Sequence, residues 1–284
     1  MPHMDNEYGH LRKVLLCKPT FFRWEAINEV AKKNMGVNQQ VFSYDLAQEQ
    51  HGELSSALGS AGVEVFFIEP SKPHHYMVYT RDFGKNISAG ALLGRFRLPV
   101  RMGEEDLFEK YLISKGFPVV GQVACGAFEG GDIHFVDKKT LAVGVGARST
   151  LDAFESAQEF LTPEGIELVP VAFDPKYLHL DLLFVMLAEK LCLACPEGLP
   201  EDFLGLLKKK RIEMIEVPAV DAMELKNNVL ALGGDRVLSF AENEKVNAQI
   251  KAHGFEVLTP HLSMFTMGGG GPRCLTFPLE RDSI

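Results

Sequence analysis

The stretch Gly62-Val63-Glu64-Val65-Phe66-Phe67-Ile68 is typical of a short β-strand, because β-branched and aromatic residues follow a glycine that is suited to a turn. Similar stretches stand at residues 116–120, 165–171, 211–218 and 254–260. The copies recur about every 50 residues, and a period of this size indicates a repeated structural unit. The sequence therefore predicts one unit that the chain uses five times.

A segment with helical periodicity precedes each of these strands. The segments are residues 45–58, 104–114, 150–161, 200–209 and 243–252. In the second of them, Leu107 and Tyr111 are spaced so that both lie on one face of a helix. Gly116 then stands where the C-cap of that helix is expected. Each repeat thus joins a helix to the strand that follows it.

A second set of apolar strands alternates with the first and contains polar hairpin turns such as Gly233-Gly234-Asp235. These strands lie within residues 86–96, 132–145, 179–195, 227–240 and 274–277. The unit therefore has the order ββαβ, and the strand at residues 13–16 is expected to pair beside the last one and close a ring. Five such units predict a pseudo-symmetric five-bladed α/β propeller. Because no linker-like stretch interrupts them, residues 1–284 are expected to form a single domain.

The composition narrows the class of protein. The 284 residues are 46% hydrophobic and carry a formal net charge of −9, which allows a substantial core and disfavours nucleic acid or an anionic membrane as partner. The N-terminus is polar without a signal-peptide pattern, and charges break the apolar runs before they reach the length of a membrane span. We expect a cytoplasmic location, and the sequence leaves open whether the chain forms a homo-oligomer.

The cysteines do not form a disulfide framework, because their number is odd and the chain is long. Cys192 and Cys195 form a C-x-x-C pair in apolar sequence, with no second pair of cysteines or histidines at metal-ligand spacing. We interpret both as buried strand cysteines, while a redox role stays open. No metal and no cofactor are expected.

In a propeller the inner strands begin around one central channel, and several of the predicted strand starts carry chemically active side chains. These residues are Asp82, Glu129, Asp132, His179, Asp181 and Cys274. One aspartate at a strand start is ordinary. Carboxylates, a histidine and a cysteine at equivalent places in several repeats indicate a shared site in the channel.

The cysteine follows a glycine-rich loop, Gly268-Gly269-Gly270-Gly271-Pro272-Arg273. Glycines have no Cβ atom, so this backbone can approach a ligand closely, and the proline stiffens the exit from the loop. Cys274 is therefore a candidate nucleophile that a substrate can reach. The alternative interpretation is a surface turn before an ordinary strand cysteine.

Four motifs together resemble a known superfamily. They are Thr80-Arg81-Asp82, Glu129-Gly130-Gly131-Asp132, His179-Leu180-Asp181 and Gly269-Gly270-Gly271-Pro272-Arg273-Cys274. The combination resembles the guanidine-modifying enzymes, which include arginine deiminases, dimethylarginine dimethylaminohydrolases and amidinotransferases. The resemblance covers nearly the whole chain. It implies the five-bladed α/β propeller, in agreement with the repeat, and a small guanidino compound as substrate.

The chemistry of that substrate suits the candidate residues. A guanidinium carbon is a poor electrophile that needs a thiolate, and its planar cation matches carboxylates. On this basis Cys274 is expected to form a covalent intermediate, and His179 to protonate the leaving amine and then activate water. Glu129 is expected to orient His179, and Asp82 and Asp181 to hold the guanidinium nitrogens.

The sequence leaves the roles of the remaining polar residues open. Asp132 is either a substrate-binding residue or a strand-start residue that binds backbone amides. Asn227 and Asn228 either cap a turn or line the channel. By resemblance Arg148 is expected to contact the carboxylate of the substrate. Further candidates for that role are Arg97, Arg101 and Arg273.

Two features bear on the substrate and conflict. The motif around Asp181 is of the kind found in arginine deiminases and amidinotransferases, and a second carboxylate fits an unmethylated guanidinium. The length is close to that of dimethylarginine hydrolases. The resemblance thus implies hydrolysis of arginine or N-methylated arginine to citrulline through a Cys intermediate. The alternatives are an amidinotransferase with an amine acceptor and, outside the enzymes, a propeller that only binds a partner.

Overall fold

The strands expected from the repeat form five three-stranded sheets in the computed structural model, which describes residues 4–284. Residues 1–3, part of the polar N-terminus discussed above, lie outside the described residues. The strands are β1 (Leu11–Cys17), β2 (Glu64–Ile68), β3 (Gly84–Ile87), β4 (Gly90–Leu93), β5 (Val119–Gln122), β6 (Ile133–Asp137), β7 (Thr140–Val145), β8 (Glu167–Ala172), β9 (Phe184–Ala188), β10 (Leu191–Ala194), β11 (Glu213–Glu216), β12 (Leu230–Gly233), β13 (Arg236–Leu238), β14 (Glu256–Leu258) and β15 (Phe277–Arg281).

Helices connect and precede these strands. The α-helices are α1 (Glu29–Lys32), α2 (Tyr44–Ser60), α3 (Glu104–Ser114), α4 (Leu151–Leu161), α5 (Glu201–Lys209), α6 (Ala219–Ala222), α7 (Glu244–Ala252) and α8 (Ser263–Thr266). Shorter turns are the 3₁₀ segments Thr80–Phe83, Gly130–Asp132, Thr162–Glu164, Leu180–Leu182 and Pro196–Gly198, and the π-helical turn Lys33–Val37. Within residues 4–284 no helix combines the length and the apolar character needed to cross a membrane.

The five sheets share one topology. In β6-β7-β8, for example, the first two strands form an antiparallel hairpin, and β8 returns parallel to β7 after α4. The parallel pairing runs without interruption from Thr140 opposite Glu167 to Val145 opposite Ala172. The same order recurs in β3-β4-β5, β9-β10-β11 and β12-β13-β14. The ββαβ unit and the five-bladed α/β propeller predicted from the sequence are confirmed.

The first blade is assembled from the two end regions of the chain. Strand β1 pairs antiparallel with β15, with Leu15 opposite Phe277, and parallel with β2, with Leu15 opposite Phe66. The predicted pairing of the N-terminal strand beside the last one is confirmed. The ring is therefore closed by strand hydrogen bonds between residues far apart in sequence.

The last inner strand begins later than the sequence predicted. We expected a strand from Cys274 to Phe277, but the strand is Phe277–Arg281. The residues before it wind into a turn, in which the Leu275 amide donates to Gly271 O at 3.1 Å and the Thr276 amide to Arg273 O at 3.1 Å. These local bonds replace a strand ladder, so Cys274 lies in a turn before the strand.

The helices are positioned by their apolar faces. On α4 the buried residues Ala153, Phe154, Ala157 and Leu161 recur at helical spacing and pack against the core between blades. Gly116 ends the turn after α3 with φ of 73°, a conformation that glycine adopts without strain. Cys192, on β10, and Cys195, just after it, are buried free cysteines, as predicted for the pair.

Three 3₁₀ turns precede the inner strands β3, β6 and β9, and they pack closely around the axis. A Cβ atom at Gly130 would lie 2.1 Å from Arg81 O, and one at Gly131 would lie 2.7 Å from His179 Nδ1. The two glycines after Glu129 are thus required because three turns meet there. This contact brings their side chains to a common centre.

Candidate active site

A small cavity opens at this centre. It is lined by Ile27, Asn28, Tyr76, Tyr79, Asp82, Arg101, Arg148, Leu178, His179, Gly269 and Cys274. Four of the residues proposed from the sequence for catalysis or binding on different repeats therefore meet at one place, Asp82, Arg148, His179 and Cys274.

Cys274 is buried, and its thiol is surrounded by polar groups. Asn228 Nδ2 donates to Sγ at 3.0 Å, and Asn228 Oδ1 accepts from the Cys274 amide at 3.1 Å. The thiol lies 3.6 Å from Asp181 Oδ2. Asn228 was expected to cap a turn or to line the channel, but it is not among the residues that line the cavity; it contacts the cysteine instead and fixes both the backbone and the sulfur of the candidate nucleophile.

The thiol is protonated in the ligand-free protein at neutral pH. Burial raises the pKa of Cys274 well above its usual value, and the negative charges of Asp181 and Asp82 raise it further. The Asn228 hydrogen bond acts in the opposite direction. A cation bound beside the thiol would lower that pKa, since it neutralises the carboxylates and attracts the thiolate.

His179 and Glu129 form a buried charged pair. His179 Nε2 lies 2.9 Å from Glu129 Oε2. Burial lowers the pKa of His179, but Asp82, Asp132 and Glu129 outweigh it and raise the pKa to about 9. Burial raises the pKa of Glu129, but Arg148 and His179 outweigh it and lower the pKa to about 2. At neutral pH the pair is therefore an imidazolium with a carboxylate.

Three buried polar atoms near the cysteine have no hydrogen-bond partner among residues 4–284. They are Asp82 Oδ1, Asp181 Oδ1 and His179 Nδ1. Leaving such atoms unpaired is costly, so a ligand with N–H donors that reaches them gains the lost bonds. The other oxygen of Asp82 is held in an ion pair with Arg101. Asp181 is not among the residues that line the cavity, and its Oδ2 lies 3.6 Å from the cysteine sulfur.

Asp132 supports the turn that carries the histidine. Its Oδ1 accepts from the Leu180 amide at 2.8 Å, and its Oδ2 accepts from Ser149 Oγ at 2.6 Å. Burial raises its pKa to about 7, although His179 and these hydrogen bonds oppose the shift. Both oxygens are thus occupied, and Asp132 lies outside the residues that line the cavity. Of the two interpretations left open, the contacts favour the one in which it binds backbone.

The four candidate arginines occupy different places. Arg148 lines the cavity and donates to Glu129 Oε2 at 3.2 Å. Arg101 also lines it but is held by Asp82, by Glu104 at 2.8 Å and by Tyr79 O at 3.1 Å. Its charge is therefore largely used within the protein.

The other two arginines point elsewhere. Arg273 is buried behind the site, with Nη1 on Glu7 Oε2 at 3.2 Å and Nη2 on His134 Nδ1 at 3.0 Å. Arg97 is exposed, and its amide donates to Glu129 Oε1 at 3.1 Å. The structure does not place either side chain in the cavity lining. Arg148 remains the candidate partner for a substrate carboxylate.

Sequence reasoning missed the residues that cover the cavity. Ile27 and Asn28 come from the segment between β1 and α2, and Asn28 Nδ2 donates to Gly268 O at 3.1 Å in the glycine loop. Asn28 is also the N-cap of α1, since its Oδ1 accepts from the Ala31 amide at 2.8 Å. An asparagine at this position is a sequence signal for an N-cap. Nothing in the sequence indicates its contact with the glycine loop, 240 residues away.

One set of ligand-type atoms could hold a cation. Asp82, Glu129 and His179 each bring one such atom within 4.8 Å of the others. Glu129 and His179 already bind one another, and arginines neutralise both carboxylates. These contacts explain the cluster as a hydrogen-bonded ion pair between Glu129 and His179 with the carboxylate of Asp82 beside it. That no metal is needed stays a prediction.

Comparison with known proteins gives a family match. The family model described as N,N dimethylarginine dimethylhydrolase, eukaryotic, matches residues 18–281. The chain is 34% identical to the uncharacterized protein YkgA of Bacillus subtilis over 276 residues, which cover 97% of the chain and 94% of YkgA. It is 25% identical to the arginine deiminase of Bacillus cytotoxicus, covering 90% of the chain and 70% of that enzyme.

A solved structure agrees with the fold. The N-terminal domain of ArgZ, an arginine dihydrolase from the ornithine-ammonia cycle in Cyanobacteria, was solved with its product bound. It superposes with a TM-score of 0.83 at 26% identity, covering 95% of the chain and 97% of that domain. The five-bladed arrangement is thus shared over nearly the whole length of both.

Proposed function

The chain belongs to the N,N-dimethylarginine dimethylhydrolase family, and from this premise we propose that it hydrolyses a C–N bond in the guanidinium group of arginine or N-methylated arginine. The family and the arginine deiminase relatives support an enzyme that acts on a guanidino group. Cys274 is the nucleophile of the proposed reaction, His179 the acid and base, and citrulline the carbon product. The reaction needs water and no cofactor.

The observation that carries the proposal is the set of unpaired atoms around a buried thiol. Asp82 Oδ1 and Asp181 Oδ1 are acceptors without donors within the described chain. A guanidinium supplies planar N–H donors and a positive charge, which two carboxylates bind in a matching geometry. When its carbon lies against Cys274 Sγ, one nitrogen is expected to reach Asp82 Oδ1 at the cavity wall and another to approach Asp181, whose Oδ2 lies 3.6 Å from that sulfur. The same cation compensates the negative charges that keep the thiol protonated.

The first half of the reaction forms a covalent intermediate. Binding of the cation lowers the pKa of Cys274, and the thiol proton passes to solvent. The thiolate then forms an S–C bond to the guanidinium carbon. The imidazolium of His179, whose pKa is about 9, gives its proton to the departing nitrogen as the C–N bond breaks. Ammonia or a methylated amine leaves, and a thioether with an amidino carbon remains.

The second half uses water. His179 is now neutral and takes a proton from a water molecule, whose oxygen bonds to the amidino carbon. The C–S bond breaks, the proton of the new hydroxyl passes to the departing sulfur, and citrulline with its carbonyl and the Cys274 thiol are released. His179 keeps the proton taken from water and is again an imidazolium. Glu129 holds the imidazole in place at 2.9 Å throughout. No group in this scheme changes its oxidation state.

Two carboxylates favour an unmethylated guanidinium over a dimethylated one. Each unpaired oxygen requires an N–H donor, and a dimethylated nitrogen has none to give. In this scheme the leaving nitrogen faces His179, whose Nδ1 lies 3.9 Å from Asp82 Oδ1, so a dimethylated leaving nitrogen cannot donate to that oxygen as the NH₂ group of arginine can. We expect arginine to be turned over with a higher kcat/KM than the dimethylated compound.

A product assay tests the proposal. The protein is incubated separately with arginine, mono- and dimethylated arginines, agmatine and guanidino acids, with and without an added amine, and the products are identified by mass. Citrulline with ammonia or with a methylated amine supports hydrolysis. Ornithine indicates a second hydrolysis, as in an arginine dihydrolase. An amidino group found on the added amine selects an amidinotransferase instead.

The matched control is Cys274→Ala, expected to lower turnover by at least about 10⁴-fold, because the covalent step has no substitute nucleophile. Full turnover by this variant contradicts the scheme. If no guanidino compound reacts with the native protein, but one still binds and protects Cys274 from alkylation, the chain is a binding propeller rather than an enzyme.

A further inference from the structure

Glu7 is a buried carboxylate that the reaction scheme above does not use. It precedes β1 and is 1% exposed. Its Oε1 pairs with Lys85 Nζ on β3 and accepts from the Phe135 amide on β6 at 3.1 Å. Its Oε2 accepts from Arg273 Nη1 at 3.2 Å. One side chain thus touches residues of three blades.

The charges around Glu7 are mostly positive. Lys85 on β3, Arg81 before β3, His134 on β6 and Arg273 before β15 face it. Burial raises the pKa of Glu7, but the charges of Lys85, Arg273 and Arg81 outweigh it and lower the pKa well below its usual value. Burial and the charge of Arg273 lower the pKa of His134, which faces Glu7 as an imidazole. Glu7 is therefore ionised, and its charge stabilises cations that are themselves buried.

Arg273 stands between Glu7 and the active site. Its two terminal nitrogens are bound by Glu7 and, at 3.0 Å, by His134 Nδ1. Its Nε lies 4.0 Å from Asp181 Oδ2, beyond hydrogen-bond distance, and has no partner among residues 4–284. The same Asp181 oxygen lies 3.6 Å from Cys274 Sγ. A continuous series of contacts therefore joins Glu7 to the candidate nucleophile.

We propose that Glu7 is a positioning residue for the reaction at Cys274: by binding Arg273 it keeps the guanidinium from pairing with Asp181, which stays available to the substrate. This inference deepens the proposed function and rests on it for the role of Asp181. Glu7 itself touches neither the cavity nor the thiol.

Removal of the Glu7 charge has a predictable consequence. Arg273 loses its anionic partner, and the carboxylate nearest to its Nε is that of Asp181, 4.0 Å away. Burial raises the pKa of Asp181, and an approaching guanidinium favours its ionised form. Closure of that gap pairs Asp181 inside the protein and weakens its contact with a substrate cation. It also neutralises a negative charge beside Cys274, and that charge is one of those that raise the thiol pKa. The thiol of the variant is therefore more acidic, while turnover is slower.

The experiment measures alkylation of Cys274 by iodoacetamide at pH 8, followed at that cysteine by peptide mass. We expect Glu7→Gln to alkylate about tenfold faster than the native protein, which corresponds to a thiol pKa about one unit lower. A second pair of proteins carries Arg273→Met, which removes the guanidinium between Glu7 and Asp181. There Glu7→Gln is expected to change the rate by less than about twofold, since the effect passes through Arg273.

Several outcomes overturn the inference. An unchanged rate in folded Glu7→Gln contradicts it, and so does equal acceleration in both backgrounds, which indicates general loosening of the structure. Glu280→Gln, the same substitution in a half-exposed pair with Lys13 at 2.8 Å, is the matched control and is expected to leave the rate unchanged.

A second variant covers the case in which Glu7→Gln does not fold. Lys85→Met removes one cation from Glu7 and leaves its bonds to Arg273 and to the Phe135 amide, so alkylation is expected to slow or stay unchanged; acceleration contradicts the inference. Because alkylation needs no turnover, these measurements decide the role of Glu7 even if no guanidino compound proves to be a substrate. Where a substrate is found, Glu7→Gln is expected to lower kcat/KM about tenfold.

Discussion

Asp82 and Asp181 are both buried beside Cys274 with one unpaired oxygen each, yet they are held by very different means. Asp82 is in direct contact with Arg101, whose charge is shared with Glu104 three residues later in the chain. Asp181 has its nearest cation, Arg273, at 4.0 Å. Asp82 is therefore fixed by an ion pair with a residue close to it in sequence, whereas Asp181 has no cation within hydrogen-bond distance among the described residues.

The comparison shows two ways of keeping a buried carboxylate ready for a cation. Arg101 fixes the position of Asp82 and compensates its charge, while Glu104 prevents that compensation from being complete. Asp181 depends on Glu7, which is 266 residues from Arg273 in sequence. We expect Asp82 to matter more for the reaction than Asp181, because Asp82 also lies 3.9 Å from His179.

The largest expected effect concerns the two aspartates themselves. Asp82→Asn is expected to lower kcat/KM about 10³-fold, since it removes a substrate contact and a charge that keeps His179 protonated. Asp181→Asn is expected to cost about 10²-fold, because it removes a substrate contact but leaves Asp82, the charge that contributes most to the raised pKa of His179. Steady-state kinetics with the best substrate checks both values. Equal losses would mean that the proximity of Asp82 to His179 has no effect on the reaction.

A second prediction concerns Glu104. Burial raises the pKa of Glu104 to about 7, although Arg101 opposes the shift. Below pH 7 the native carboxyl is mostly protonated and resembles a glutamine; above pH 7 it is charged. The ratio of native to Glu104→Gln kcat/KM is therefore expected to rise from near unity at pH 6 to about tenfold at pH 8. A ratio that does not change with pH contradicts a role for this charge.

A third prediction concerns the alkaline limb of the reaction. His179 must carry a proton to release the amine, and its pKa is about 9, so kcat/KM is expected to fall as the pH rises through about 9. Asp82 is the charge that contributes most to that raised pKa. Asp82→Asn is thus expected to move the limb about one pH unit lower, and Asp181→Asn to move it by less. The dependence of kcat/KM on pH is measured for each variant. An equal shift of the high-pH fall in both variants would contradict the expected difference between Asp82 and Asp181.

A last prediction concerns stability. The raised pKa of His179 stabilises the folded state fully below the unfolded value of 6.5, and this contribution is lost as the pH rises through about 9. The difference in unfolding free energy between native protein and His179→Gln is therefore expected to shrink over that range, by an amount on the order of 3 kcal/mol. Urea unfolding at pH 6 and pH 9 measures it. A difference that grows with pH would have the wrong sign.

The same comparison separates what the sequence predicts from what it does not. Asp82, His179 and Cys274 could be found because they stand at equivalent places in a repeat, and the repeat places those positions at one centre. Glu104 and Glu7 could not, because their importance comes from contacts with Arg101 and Arg273 that no periodicity records. Arg273 was expected to bind substrate, but its neighbour Cys274 turns toward the cavity while Arg273 turns toward Glu7.

Local hydrogen bonds explain the remaining differences from expectation. The strand predicted to begin at Cys274 begins at Phe277, since the residues before it bond to the glycine loop. The choice between two roles for Asp132 depended on the Leu180 amide, which lies on another blade. Patterns of residue type give the blades and the strand starts, but the partner of a single buried oxygen depends on distances across the molecule.

The closure of the first blade by β1, β15 and β2 sets an order of events during synthesis. Chains fold from the N-terminal side as the ribosome extends them. Asp82, Glu129 and His179 emerge well before Cys274, and β1 lacks one of its two neighbours until β15 has followed. A nascent chain therefore carries these side chains before it carries the nucleophile. The thiol joins only with the segment that also completes the ring, so chemical competence and closure of the fold arrive together.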